Sequence, residues 1–334
     1  MWGCVKLSHL VAIAFAVAVS TVAFEPAVAA EGRSATKSAR KSVSAKSTRS
    51  ARAFMPRRIV RVQEPPRLSF GQIAGLHGAD DPLELKSSVA LVLDQETNEV
   101  LFSKNPRAVL PIASITKLMT ALVVTEAGLP LDETLSVTED DVDTEKGSHS
   151  RLRVGTQLTR GEMLHLALMA SENRAAHALG RQYPGGVPAF VAAMNRKAVA
   201  LGMSDTRYVE PTGLSSMNQS SARDLAVLVK AAGEHQLIRE LSTSPEHSVA
   251  IGSRQMQFRN TNSLVRSPSW EIGLQKTGYI SEAGRCVVMQ ATLHGRQLIM
   301  VLLDSAGRYS RLGDAERIRK WLTESHPAVA ATGE

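Results

Sequence analysis

Three short strings pair a hydroxyl with an amine or amide at spacings that suit acyl transfer: Ser114-Ile115-Thr116-Lys117, Ser171-Glu172-Asn173 and Lys276-Thr277-Gly278. A serine hydroxyl is a weak nucleophile until a neighbouring base takes its proton. An amine three residues along a helix lies on the same side and within reach of it. Lys117 can be that base only if burial and nearby cations depress its pKa enough to leave a neutral amine. Lys276 would help in this while its charge steers an anionic substrate. Ser171 would relay a proton to the leaving amine, and Asn173 would hold the substrate's amide with its side-chain carbonyl and NH₂. Backbone N–H groups of Ser114 and Tyr279 would make an oxyanion hole.

Each string alone is weak. S-x-x-K recurs at Ser34–Lys37 and Ser38–Lys41, and S-x-N recurs at Ser216-Met217-Asn218, whereas K-T-G occurs once. The ordered set S-x-x-K, S-x-N, K-T-G is the signature shared by penicillin-binding proteins and β-lactamases, and the sequence around each copy selects among them.

Pro111 precedes Ser114, and Leu118, Met119, Leu122 and Val123 follow as a buried helical face. Ser114 therefore stands at a helix start, where free N–H groups and the helix dipole favour negative charge. The two copies near residues 34–41 have no such helix. Ser171–Asn173 falls at the break between two helical runs. Ser216–Asn218 follows Pro211-Thr212-Gly213 and precedes a helix capped by Ser220 or Ser221, which is turn and capping work. Lys276–Gly278 lies on a strand, and its glycine lets backbone approach a ligand.

The elements that must position these strings follow from hydrophobic period. Val89–Leu93 and Glu99–Ser103 read as a hairpin, and Gly273–Thr277, Arg285–Leu293 and Gln297–Leu303 as three late strands. Residues 118–127, 161–170, 173–182, 188–201 and 221–232 read as helices, and 311–322 as a last one carrying Ile318, Trp321 and Leu322 on one face. Strands at both ends with helices between them predict an α+β fold: one antiparallel sheet of N- and C-terminal strands, flanked by helices, with a helical subdomain.

The whole chain bounds the class. Residues 1–30 read as a signal peptide, with Lys6, an apolar run from Leu10 to Phe24 and a small-residue cleavage site at 27–30. The run is too short for a stable membrane span. Residues 31–67 hold eleven Lys and Arg against Glu31 and Glu64, a balance of +9, so residues 68–334 carry −2 of the formal +7. This basic segment reads as a disordered linker, or as a tether to anionic wall polymer or membrane. Nucleic acid is disfavoured, since only Phe54 interleaves the charges. Only Cys286 survives removal of the signal, so no intrachain disulfide forms and a periplasmic location fits. His149, His165 and His177 are scattered without metal spacing, so zinc is unsupported and no cofactor is expected. The catalytic domain is placed at 68–325, with a short tail at 326–334.

From residue 86 to 323 the chain resembles the D-alanyl-D-alanine peptidase group of low-molecular-mass penicillin-binding proteins, peptidase family S11. The resemblance rests on Pro111–Thr120, Ser171–Ala176, Tyr183-Pro184-Gly185-Gly186, Glu210–Leu214, Phe258–Asn262 and Lys276–Tyr279. These details are most similar to its endopeptidase branch, the penicillin-binding protein 7 type. The resemblance implies the transpeptidase fold, cleavage of the D-Ala to meso-diaminopimelate cross-links of peptidoglycan, and covalent inhibition by β-lactams. It implies Ser114 as nucleophile, Lys117 as base, Ser171 and Asn173 as second-motif residues and Lys276 as substrate clamp. Arg311 stands near where relatives place an arginine facing the substrate carboxylate. The rival readings are a D,D-carboxypeptidase using the same site, a β-lactamase suggested by Glu210-Pro211, and a non-catalytic β-lactam-sensing module.

Overall fold

Val89 to Leu93 alternate between two apolar faces, and the strand they form is buried on both. The computed structural model describes residues 67–325. The signal-peptide reading, nearly all of the basic segment and the tail lie outside the described residues.

The described chain begins with one capped helical turn, α1 (Phe70–Ile73), then β1 (Ser87–Asp94), β2 (Val100–Lys104) and the two-residue strand β3 (Leu110–Pro111). Next come α2 (Thr116–Glu126), β4 (Thr134–Ser136), β5 (Gln157–Thr159), α3 (Arg160–Met169), α4 (Asn173–Arg181) and α5 (Gly186–Ala200). After β6 (Gln219–Ser220) follow α6 (Ala222–Gly233), α7 (Gln236–Thr243) and the hairpin β7 (Glu246–Ile251)–β8 (Arg254–Arg259). The chain then lays down β9 (Glu271–Ile280), β10 (Gly284–Leu293) and β11 (Arg296–Ser305), and closes with α8 (Ser310–Ser325).

The main sheet is antiparallel throughout, in the order β2-β1-β11-β10-β9. The N-terminal hairpin thus docks on the last strand, as expected from strands at both ends. Period-2 alternation divides the sheet's side chains between two cores. Val89, Leu91, Val288, Val301 and Leu303 pack with the helical middle of the chain. Ala90, Val92, Val287, Met289, Met300 and Leu302 face α8 through Ile318 and Leu322. Trp321 sits edge-on to Phe102, with ring centroids 5.9 Å apart. Each fully buried Leu or Ile here contributes about 1.5–3 kcal/mol, so the sheet is a rigid base for its edge strand β9.

The short β3–β6 ladder pairs Pro111 with Gln219 and ties the segment before Ser114 to the loop after Gly213. Asn218 completes that tie from a fully buried position. Its Oδ1 accepts from the Val209 N–H, and its Nδ2 donates to Thr116 Oγ1 and to Glu210 Oε1. The second S-x-N copy is therefore turn work, as its sequence context implies, and Ser221 is the cap of α6. The short elements α1, β3, β4, β5 and β6 were not foreseen, nor were the longer α7 and the β7–β8 hairpin. In the hairpin only Val249 and Phe258 are buried, so the hydrophobic period that marks an element is nearly absent there.

Candidate active site

The three strings arrive from three directions. Ser114 lies in a 3-10 turn (Ala113–Ile115) that runs straight into α2. Continuity of turn and helix places Lys117 one turn on, and its Nζ donates to Ser114 Oγ at 2.8 Å. Ser171 and Asn173 flank the break between α3 and α4. Lys276–Gly278 is on β9, the outer strand of the sheet beside the 3-10 turn. Ser114, Ser171, Asn173, Thr277 and Gly278, together with Lys146, Ser148, Leu214, Thr261, Tyr279 and Arg311, line a cleft of about 480 Å³, and the fully buried Lys117 and Lys276 reach its hydroxyls from behind that lining.

The Lys117 amine is fully buried and its three donor positions are taken. Besides Ser114 it donates to Asn173 Oδ1 at 2.7 Å and to the Thr212 carbonyl at 2.5 Å. Asn173 spends its amide on Ser148 Oγ, 2.9 Å away. Burial pulls the Lys117 pKa down to about 7, against the opposing pull of Glu210 and Glu172. The first depressing cause is loss of hydration. Lys276, also fully buried, is held well below its ordinary value by burial and then by the charges of Lys117 and Arg311, and repulsion between the two lysines acts on both.

Lys276 Nζ donates to Ser171 Oγ at 2.9 Å and to the Thr277 carbonyl at 2.8 Å. A second-motif hydroxyl is thereby linked to the third motif across the cleft, while Lys117 links the first motif to Asn173. Thr277 Oγ1 shares a 2.6 Å hydrogen bond with Thr261 Oγ1.

Backbone geometry at the site is unusual. Ala113 and Ser171 hold left-handed φ values of +48° and +60°, a conformation that costs a non-glycine residue of order 1–3 kcal/mol. The serines at these two turns, Ser114 and Ser171, both line the cleft. Close packing fixes two glycines. A Cβ on Gly278 would lie 3.1 Å from Ser114 N, and one on Gly213, at φ +83°, would lie 1.9 Å from the Ala113 carbonyl oxygen. The peptides of Ser114 and Tyr279 are thus brought side by side.

Arg311, near the start of α8, reaches the cleft and is 9 % exposed. One guanidinium nitrogen donates to the Arg308 carbonyl at 3.3 Å, and its buried Nε has no hydrogen-bond partner among the described residues. Burial, and then the charge of Arg285, lower its pKa. Glu210, by contrast, is used up within its own loop. Its carboxylate accepts from the Thr212 N–H and hydroxyl and from the Gly213 N–H. Glu210-Pro211 is therefore a turn clamp that presents the Thr212 carbonyl to Lys117.

The sequence reading did not single out Thr212, Ser148, Thr261 or Lys146 as site residues. Thr212 acts through a backbone carbonyl, which no side-chain pattern encodes. Ser148 and Lys146 lie in a polar loop that nothing marks as facing a cleft until the fold is closed. His149 and His165 do not line this cleft. His177 is bonded through Nδ1 to Asp141 at 2.7 Å, and no metal-binding group of three or more His, Cys, Asp or Glu occurs among the described residues.

Comparison with known proteins places these features in context. The family model described as D-alanyl-D-alanine carboxypeptidase, Peptidase_S11, matches residues 77–307. A D-alanyl-D-alanine endopeptidase of Pseudomonas aeruginosa is 52 % identical over 241 residues, covering 72 % of this chain and 78 % of that protein. One from Escherichia coli is 47 % identical with the same coverage. The crystal structure of the Streptomyces K15 DD-transpeptidase superposes with a TM-score of 0.67 at 27 % identity, covering 72 % of this chain and 98 % of that one.

Proposed function

Since the chain belongs to the D-alanyl-D-alanine carboxypeptidase family, peptidase S11, we propose that it is a serine D,D-endopeptidase. Its substrate is the D-Ala to meso-diaminopimelate cross-link of peptidoglycan, cut through an acyl-enzyme on Ser114. The observation that carries this reading is the fully buried Lys117 amine 2.8 Å from Ser114 Oγ, with a pKa of about 7.

In its neutral form Lys117 takes the Ser114 proton as Oγ attacks the D-alanyl carbonyl carbon. The carbonyl oxygen becomes an oxyanion and is received by the N–H groups of Ser114 and Tyr279, held together by the close approach at Gly278. Collapse breaks the peptide C–N bond. The departing amine takes, through Ser171, the proton that Lys117 removed from Ser114, which leaves Lys117 neutral for the second step; the Ser171 hydroxyl is held by Lys276. Water then attacks the ester, with Lys117 as base, to release the shortened stem and restore Ser114. A carboxylate on the leaving side is met by Thr277, Lys276 and Arg311, and its charge favours the ammonium form of Lys276. Asn173 aligns the amide of the acyl side.

Export to the periplasm is supported by the signal-like residues 1–30. Wall or membrane contact through 31–67 is supported by that segment's charge. Among the described residues no helix is long and apolar enough to cross a membrane.

Labelling with a fluorescent penicillin followed by peptide mapping tests the nucleophile: the adduct is expected on Ser114, and hydrolysis retained by Ser114→Ala would overturn the assignment. Digestion of purified cross-linked muropeptide dimers separates the two D,D-activities. Monomers are the expected product; free D-alanine without monomers would establish a carboxypeptidase. Rapid repeated turnover of penicillin, in place of a lasting acyl-enzyme, would favour a β-lactamase.

A further inference from the structure

The cationic side of the cleft continues past Arg311. Tyr279 lines the cleft and is 56 % exposed on its rim. Arg285 stands directly opposite it in the β9–β10 ladder and lays its guanidinium 4.3 Å from the ring centroid. Arg285 is half-buried, and among the described residues it makes no ion pair with any carboxylate. Its charge is felt by Arg311, as that of Arg311 is felt by Lys276 and that of Lys117 by Lys276. Three basic groups therefore form a continuous series, Lys276, Arg311 and Arg285, and among the described residues none of them is ion-paired with a carboxylate. Like charges gathered without counter-ions oppose folding, and such a field attracts an anionic ligand.

The two candidate leaving groups differ in this respect. D-Alanine carries a single carboxylate, on the carbon bonded to the scissile nitrogen. A cross-linked stem carries that carboxylate on diaminopimelate, and further carboxylates beyond the far end of the diaminopimelate side chain. The first meets Thr277 and Arg311 in either case, so only the cross-link has an anion left for a cation farther out.

We propose that Arg285, seated on the Tyr279 ring, binds an outer carboxylate of the leaving stem and so favours cross-links over terminal D-alanine. Stacking on the ring orients the planar guanidinium and leaves its edge N–H groups free to receive a carboxylate, a geometry lysine does not reproduce. This inference rests on the endopeptidase reading above.

The test uses the exported chain, a cross-linked muropeptide dimer, the same dimer with its outer carboxylates amidated, and benzylpenicillin. Arg285→Gln is expected to raise KM for the dimer about tenfold with little change in kcat, so that selectivity for dimer over penicillin acylation falls about tenfold. Arg285→Lys should recover only part of this. Amidation should cost the unaltered enzyme the same factor and cost Arg285→Gln nothing further. Because the unaltered enzyme alone can be compared on the two dimers, a poorly folded variant does not spare the proposal. Equal losses on dimer and penicillin, or an amidated dimer cut as well as the native one, would overturn it. If the unaltered enzyme cuts dimers and Arg285→Gln cuts them equally well, only this inference falls. If the unaltered enzyme releases D-alanine and cuts no dimer, the endopeptidase reading falls and this inference with it.

Discussion

The two halves of the cleft are built on opposite principles. On the nucleophile side, Lys117 has all three donor positions filled, by Ser114, Asn173 and the Thr212 carbonyl, and acids stand behind it at Glu172 and Glu210. On the clamp side, Lys276 and Arg311 repel each other, Arg285 adds a third charge, and the buried Arg311 Nε has no hydrogen-bond partner among the described residues. A finished network is pre-organised and does not depend on substrate for its geometry. A set of cations without counter-ions is completed by the substrate's own charge. In the proposed mechanism the nucleophile half therefore determines whether the chemistry occurs, and the clamp half determines on which molecule.

The comparison breaks most directly at Lys117. Lys117→Gln removes the base from the finished half, and acylation by penicillin should fall by at least about a thousandfold. Stopped-flow acylation rates check this, and a loss under tenfold would show that another group takes the Ser114 proton. Arg311→Gln acts on the other half. It should raise KM for carboxylate-bearing substrates by about ten- to a hundredfold, with a smaller change in kcat. A pure kcat effect would mean that Arg311 holds structure and not substrate.

Gly278→Ala strikes where the halves meet. Its Cβ would crowd Ser114 N, so acylation should drop by roughly a hundredfold through displaced oxyanion donors while penicillin still labels the protein slowly. The pH profile is gentler. Because burial lowers the Lys117 pKa to about 7, the base form is scarce below that pH and dominant above it. The acylation rate should therefore rise with pH through about 7 and level off, and a flat profile from pH 5 to 9 would contradict a titrating Lys117. The smallest effect is expected at the cleft mouth, where Lys146 pairs with Glu282 at 2.5 Å on a partly exposed surface. Lys146→Gln should cost only about 0–1 kcal/mol of stability, read as a shift in the denaturation midpoint.

Much of this arrangement was legible in the chain, and the limits of legibility are physical. Strands and helices with strong hydrophobic period were foreseen to within a few residues, including β10, α4 and α8. The β7–β8 hairpin was not, because its sequence buries too few side chains to leave a pattern. Ser114 and Lys117 could be paired by eye, since one helical turn joins them. The link from Ser171 to Lys276 could be read only as a shared family order, because 105 positions of chain separate the two residues. Nothing in the residue types announces that Ala113 and Ser171 turn left-handed. That conformation is imposed by what packs around them.

What the sequence alone determined is the chemical inventory: a serine with a lysine one helical turn away, a second serine and asparagine at a helix break, and a lysine on a strand. Short-range geometry and hydrophobic period act along the chain, so they can be read along it. Only the tertiary structure decided that both lysines are stripped of water and held below their ordinary pKa. Desolvation and Coulomb energy depend on what surrounds an amine in space, and here the surroundings come from α4, the 210–214 loop, β9 and α8, which only folding brings together.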